Sequence, residues 1–421
     1  MKTKALRLYG KDDLRLEEFE LPEMQDDEIL AEVCSDSLCM SSYKALIQGK
    51  DHKRVPENVA EHPIIIGHEF CGKILKVGKK WQGQFSEGQK FSIQPALHYK
   101  GRPDALGYSY SYVGGDATKI LIPNEVMETG CLLPYQGDAF FGGSLAEPFS
   151  CVIATFHAMY HTVPGKYEHK MGPKPGGRMA ILAGAGPMGL AAVDVILHAK
   201  EHPSKLVVTD LDQNRLDRAA SILSPEAAKE LGVELKYMNT SGMEDVKGAL
   251  IDFAGGEGFD DVIVFAPVKS VVELGDAILA RDGCLNFFSG PSDPAFSALF
   301  NFYNVHYAGT HLVGTSGGYT GDMLEALEMM SEGLLTPAIL VTHVGGLDSA
   351  AFATANLPKI PGGKKLIYTG IEMPLTAIAD FGKLGETDPL FEKLDRICRA
   401  HSGLWCAEAE KVLLEAKGAA Q

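Results

Sequence analysis

The stretch Gly184-Ala185-Gly186-Pro187-Met188-Gly189 restricts the folds open to this chain more than any other. It fits G-x-G-x-x-G, follows an apolar run at 179–183 and opens a helical pattern at Leu190. Between a strand and a helix, the first glycine permits the tight turn. The second lets backbone approach a pyrophosphate, and the third allows close helix packing. The helix N-terminus then presents free N–H groups and a positive dipole to phosphates. Pro187 and Met188 belong to the same loop. Asp210 ends the next apolar run, 21 residues after Gly189. A carboxylate there accepts hydrogen bonds from ribose hydroxyls and repels a 2′-phosphate, which favours NAD(H) over NADP(H). Arg215, five residues on, joins the candidate cofactor positions, although an arginine on a helix reads more simply as a solvated charge.

The rest of the chain fits around that motif. Short apolar runs at 179–183, 206–209, 261–265, 284–288 and 311–313 alternate with amphipathic helices, which predicts an α/β, doubly wound parallel sheet. Upstream, alternating segments at 5–8, 14–17, 28–33 and 70–78 predict a mainly β region. A helix is expected over 149–161, beginning after Pro148, and another over 321–333, with strand character returning at 339–342. At 421 residues the chain exceeds one hydrophobic core, so two domains are expected. Its formal net charge of −16 argues against nucleic acid and anionic membranes as partners. The first twenty residues have no secretory apolar core, and the eight cysteines are scattered, which suits reduced thiols and a cytoplasmic location.

A second constellation bears on chemistry. Gly67-His68-Glu69 sets an imidazole beside a carboxylate, Cys39 lies upstream, and Glu147 stands before Pro148. Nitrogen, sulfur and oxygen donors of these kinds are the mixture that Zn²⁺ accepts in catalytic sites. They are far apart in sequence, so only a fold can gather them.

Cys39-x-Ser41, Gly67-His68-Glu69-x-x-Gly72 and Glu147-Pro148, followed by the glycine fingerprint and Asp210, resemble the zinc-dependent medium-chain alcohol dehydrogenases, particularly the sorbitol dehydrogenase branch. The resemblance runs to about residue 370. It implies a GroES-like catalytic domain at 1–155, a Rossmann domain at 156–314, a return to the catalytic domain at 315–380 and a helical C-terminal extension at 381–421. It implies Cys39, His68 and Glu69 as ligands of one catalytic zinc, with Glu147 as a further carboxylate. Ser41, Glu69 and Lys44 become the catalytic candidates, Lys44 standing where relatives often carry a relay histidine. Ser289 and Thr315 would flank the nicotinamide. Residues 92–130 hold no cysteine, so no structural zinc is expected.

The resemblance also implies hydride transfer between the cofactor and a ketose phosphate or polyol phosphate, most closely L-sorbose 1-phosphate and D-glucitol 6-phosphate. It implies a homodimer or homotetramer. Lys44, Lys50, Lys53 and Arg54 form a basic cluster suited to the substrate phosphate, with Lys100 and Arg102 as a second candidate. Each of these cations also reads as solvated surface. Two alternatives stay open: a dehydrogenase of an unphosphorylated polyol or other secondary alcohol, and a non-catalytic NAD(H)-binding redox sensor.

Overall fold

The computed structural model describes residues 1–418. The chain divides into two compact units. One comprises Met1–Glu147, Leu327–Ser331 and Pro337–Gln421, and the other Pro148–Ala326 and Glu332–Thr336.

The first unit is mainly β. Strand Ile29–Ser37 is its centre, pairing antiparallel with Phe70–Val77, Lys119–Ile122 and Lys364–Tyr368. Alternation along these strands sends Ile29, Ala31, Val33, Phe70, Ile74, Ile120 and Ile122 into one buried cluster. A smaller sheet joins Lys2–Gly10 to Asp13–Glu20 and to the two-residue strand Ile64–Ile65. That short pairing fixes the chain just ahead of Gly67-His68-Glu69.

The second unit holds a six-stranded, all-parallel sheet in the order Glu234–Asn239, Lys205–Asp210, Arg178–Leu182, Phe259–Val264, Leu279–Phe287, His311–Gly314. The strand order reverses on either side of Arg178–Leu182, and open α/β sheets bind ligands at such a switch point. Met179, Ala180, Ile181 and Leu182 are fully buried, as expected of a strand covered on both faces. Strand Glu234–Asn239 escapes the sequence reading because it is the sheet edge. Glu234 and Lys236 face solvent, so no continuous apolar run marks it.

Three local expectations need correction. The helix expected from residue 149 begins nine residues earlier and spans Phe140–Ala158, with Pro148 in its interior. Proline normally breaks a helix by removing one hydrogen bond and crowding the previous turn, but burial of the preceding residues overrides that local preference here. The helix after the fingerprint starts at Pro187, where a proline ring fits the first helical position, rather than at Leu190. The strand expected at 339–342 is present but starts two residues later, as Val341–Gly346, after a 3₁₀ turn at Pro337–Leu340.

The C-terminal segment forms helices Pro389–Ala400 and Ala407–Lys417, while residues 419–421 of the expected extension lie outside the described residues. Its Glu410 is buried and accepts from the backbone N–H groups of Phe140 (2.6 Å) and Phe141 (3.0 Å). Those donors open helix Phe140–Ala158 and have no partner within it, so Glu410 caps the helix that carries Glu147. Tyr368 donates to the same carboxylate at 2.9 Å, and Trp405 donates to the Tyr368 hydroxyl at 2.7 Å. Glu410→Ala strips three donors of their acceptor, those of Phe141 and Tyr368 buried and that of Phe140 partly so. It is expected to lower unfolding free energy by about 2–4 kcal/mol, read by denaturant titration. A loss below about 0.5 kcal/mol would mean water replaces the carboxylate.

Candidate metal and cofactor sites

Three donors meet in the first unit. Cys39 immediately precedes helix Met40–Gln48, while His68 and Glu69 lead into strand Phe70–Val77. Gly67 makes the turn between them at φ +90°, and a Cβ there would lie 2.6 Å from the backbone nitrogen of Asp116. Only glycine fits that position. The Cys39 sulfur, a His68 ring nitrogen and a Glu69 oxygen lie within 4.8 Å of one another. That donor set is compatible with one zinc ion.

The surrounding side chains orient these donors. The Ser41 hydroxyl donates to Cys39 Sγ at 3.0 Å and stands 3.3 Å from His68 Nε2. The hydroxyls of Ser42 and Tyr108 approach His68 Nδ1 at 3.4 and 3.1 Å. Burial pushes the His68 pKa down, which keeps the ring neutral and its nitrogen lone pair available to a metal. Burial pushes the Glu147 carboxyl up to about 7, with the Glu69 charge adding to the rise and His68 opposing it. Glu147 thus feels this cluster electrostatically, although it is not one of the three donors brought within 4.8 Å.

Several participants were invisible in the sequence. Buried Lys364 donates to both Glu69 oxygens, at 2.5 and 2.6 Å. Burial alone would lower its pKa, yet the charges of Glu69 and Cys39 hold it above the ordinary lysine value. Lys364 and Lys365 follow two glycines in the sequence, and both are buried. Behind the cluster, Asp36 Oδ1 accepts from the Glu69 backbone nitrogen at 3.2 Å. Among the described residues, Asp36 Oδ2 and both Asp116 oxygens have no hydrogen-bond partner. Burial pushes the Asp116 carboxyl up to about 7, and burial with the Asp116 charge pushes Asp36 well up. Burial thus disfavours the charged form of both carboxyls. Of the basic candidates, Lys44 lies on helix Met40–Gln48 and Lys50 in the turn Gly49–Asp51. Lys53, Arg54 and Arg102 line one cleft.

In the second unit the fingerprint connects strand Arg178–Leu182 to helix Pro187–His198. The tight turn falls on Ala183, at φ +54°, rather than on Gly184. Gly184 is required instead by packing, since a Cβ would lie 2.3 Å from Ile181 Cγ2. At Gly189 a Cβ would lie 2.0 Å from the Gly184 carbonyl oxygen. At Gly186 it would meet nothing within 4 Å, leaving open space where a pyrophosphate can approach the backbone. Asp210 Oδ2 accepts from the Ala185 nitrogen at 3.1 Å and Oδ1 from the Leu211 nitrogen at 2.8 Å, which fixes the carboxylate beside the loop. Arg215 Nε lies 3.7 Å from Asp212 Oδ2 on an exposed helix face. Ser289 Oγ donates to the Val264 carbonyl, and Thr315 Oγ1 to Asn286 Oδ1 at 3.2 Å.

Gly189→Ala is expected to destabilise the chain by about 3 kcal/mol and abolish nicotinamide binding. Gly186→Ala should keep stability within about 1 kcal/mol while weakening the cofactor. Denaturant titration and NADH fluorescence distinguish the two, and equal losses in both variants would remove the loop's assigned role.

Comparison with known proteins places this geometry. Residues 187–332 match the family model described as zinc-binding dehydrogenase, and residues 25–130 the alcohol dehydrogenase GroES-like domain. The chain is 52% identical to L-sorbose 1-phosphate reductase of Klebsiella pneumoniae, over 98% of this chain and 97% of that protein. It is 49% identical to mannitol-1-phosphate 5-dehydrogenase of Aliivibrio fischeri, over 98% and 97%. Among solved structures, 2R,3R-butanediol dehydrogenase of Bacillus subtilis shares the fold at a TM-score of 0.70 and 20% identity, covering 87% of this chain and 99% of that one. Among the described residues no helix is long and apolar enough to cross a membrane.

Proposed function

The chain belongs to the zinc-type medium-chain alcohol dehydrogenases, and from that premise we propose that it is an NAD(H)-linked reductase of a ketose phosphate. L-sorbose 1-phosphate, reduced to D-glucitol 6-phosphate, is the favoured substrate. The observation that carries the catalytic reading is the convergence of Cys39, His68 and Glu69 with Ser41 in hydrogen-bond contact. The sugar phosphate is supported by the two relatives above, both named for phosphorylated sugar substrates.

Cys39, His68 and Glu69 would hold the zinc, with Glu147 as the additional carboxylate. Bound there, zinc supplies a Lewis acid for the carbonyl oxygen while the nicotinamide supplies the hydride. Ser41 would pass a proton to the oxygen formed on reduction, since its hydroxyl already reaches the donor cluster. Lys44 lies three residues on along the same helix, so the two side chains share a face and Lys44 can continue the route outward. Gly184, Gly186, Pro187, Met188 and Gly189 would seat the pyrophosphate, Asp210 the adenosine ribose with Arg215 beside it, and Ser289 and Thr315 the nicotinamide. We assign the protein to the cytoplasm and a homo-oligomeric state, as in the reading of its sequence.

The test is oxidation of NADH and of NADPH by the zinc-loaded protein, with L-sorbose 1-phosphate and with L-sorbose in parallel. Strong preference for NADH and the phosphate ester, abolished by chelation, is the expected result. Comparable rates on both sugars would leave a general polyol dehydrogenase. Inactivity despite bound zinc and cofactor would favour a redox sensor.

A further inference from the structure

Part of each basic group of the sequence meets in the fold: Lys53 and Arg54 from the first and Arg102 from the second, whereas Lys44, Lys50 and Lys100 do not line the same cleft. Lys53, Arg54, His98, Arg102 and the carboxylate of Asp104 line one cleft of about 320 Å³. That volume lies within the range of about 300–1,000 Å³ typical of small-molecule pockets. Two segments are clipped together to make it. Ser109 Oγ donates to the Arg54 carbonyl at 2.8 Å and accepts from the Ala105 nitrogen at 3.1 Å. In a chain of net charge −16, such a concentration of cations in one recess is out of character with the surface.

Position matters as much as charge. The Arg54 guanidinium stands 5.5 Å from the centre of the Tyr108 ring. The hydroxyl of that buried tyrosine lies 3.1 Å from His68 Nδ1. Arg54 and the donor cluster therefore contact the same aromatic side chain. His52 stacks on Tyr108 at 5.5 Å. Burial above all, and after it the charges of Arg54, Lys53 and Lys44, push its pKa down to about 4. Among the described residues neither Lys53 nor Arg54 pairs with a carboxylate, whereas Arg102 pairs with Asp104 at 2.9 Å.

We propose that this cleft is the phosphate subsite of the substrate, with Arg54 as its inner ligand and Arg102 and Lys53 closing over the outer oxygens. A planar guanidinium matches two phosphate oxygens at once, and Arg54 is preset for this by the tyrosine beneath it. A dianionic phosphate draws Arg102 from the single Asp104 carboxylate. The assignment rests on the ketose-phosphate reading above and names the residues that would make it selective.

The experiment compares wild type with Arg54→Gln, Arg54→Lys and Arg102→Gln on L-sorbose 1-phosphate and L-sorbose, with inorganic phosphate as competing anion. Arg54→Gln is expected to raise KM for the phosphate ester about 10–100-fold, the worth of one charged hydrogen-bonding partner, with a far smaller effect on kcat. The loss on L-sorbose should be at least tenfold smaller, and Arg54→Lys should recover part of it. Inorganic phosphate should inhibit wild type competitively against the ester and inhibit Arg54→Gln much less. Parallel losses on both sugars, or an unchanged KM for the ester, would overturn the subsite while leaving the ketose-phosphate reading intact. A wild type that uses both sugars equally, with phosphate binding still lost in the variants, would instead overturn that reading and leave the cleft as a site for another anion.

Discussion

His68→Ala is expected to reduce kcat/KM by at least about a thousandfold and to release the metal. Lewis-acid stabilisation of the reacting oxygen is worth several kcal/mol, and each 1.36 kcal/mol is about tenfold in rate. Removing one of three close donors leaves Cys39 and Glu69 to hold an ion that prefers four ligands. The cavity also deprives Ser41, Ser42 and Tyr108 of the ring they approach, so some stability is lost as well. Two readouts separate chemistry from folding. Zinc content by mass spectrometry should fall from one equivalent toward zero. NADH binding, which depends on the fingerprint in the other unit, should persist. A variant that kept full zinc and activity within tenfold of wild type would remove this cluster from the reaction.

The parts legible in the sequence are those whose physics is local. The glycine fingerprint shows because strand, turn and helix are consecutive, and Asp210 shows because it ends the adjoining strand. Even there, the assignment of the tight turn to Gly184 missed Ala183, since spacing cannot tell a strained backbone from a crowded one. The donor types of Cys39, His68, Glu69 and Glu147 are visible in the sequence, but only the family resemblance joins them as one ligand set, because Cys39 and His68 are brought together by tertiary structure. Lys364 was out of reach: its partner Glu69 is 295 residues away, and nothing near it announces a buried charge. The start of helix Phe140–Ala158 was hidden for the same reason, as its cap, Glu410, lies 270 residues downstream of Phe140. Pro148 pointed to a boundary that the distant carboxylate and the burial of this segment overrule.

Lys364→Met is expected to destabilise the metal-free protein by about 3–5 kcal/mol, because it leaves the Glu69 carboxylate buried without its cation. Methionine preserves most of the side-chain volume, so the lost charge, rather than a cavity, is what the experiment reads. Zinc changes the outcome if Glu69 is a ligand as proposed. The ion supplies the missing positive charge, so the zinc-saturated variant should lose less stability than the metal-free one. By linkage, the difference between the two losses must reappear as tighter zinc binding, about tenfold for each 1.4 kcal/mol. Denaturant unfolding of both forms, with an independent zinc titration, over-determines the cycle. The physical picture is a carboxylate with two competing partners: Lys364, which holds both its oxygens in this structure, and the metal. With zinc bound, Lys364 would compete with the ion for the Glu69 carboxylate and so lower the affinity of the site for it. Equal destabilisation with and without zinc would show that Glu69 stays with Lys364 throughout, and the ligand set would then have to be completed by Glu147 or solvent.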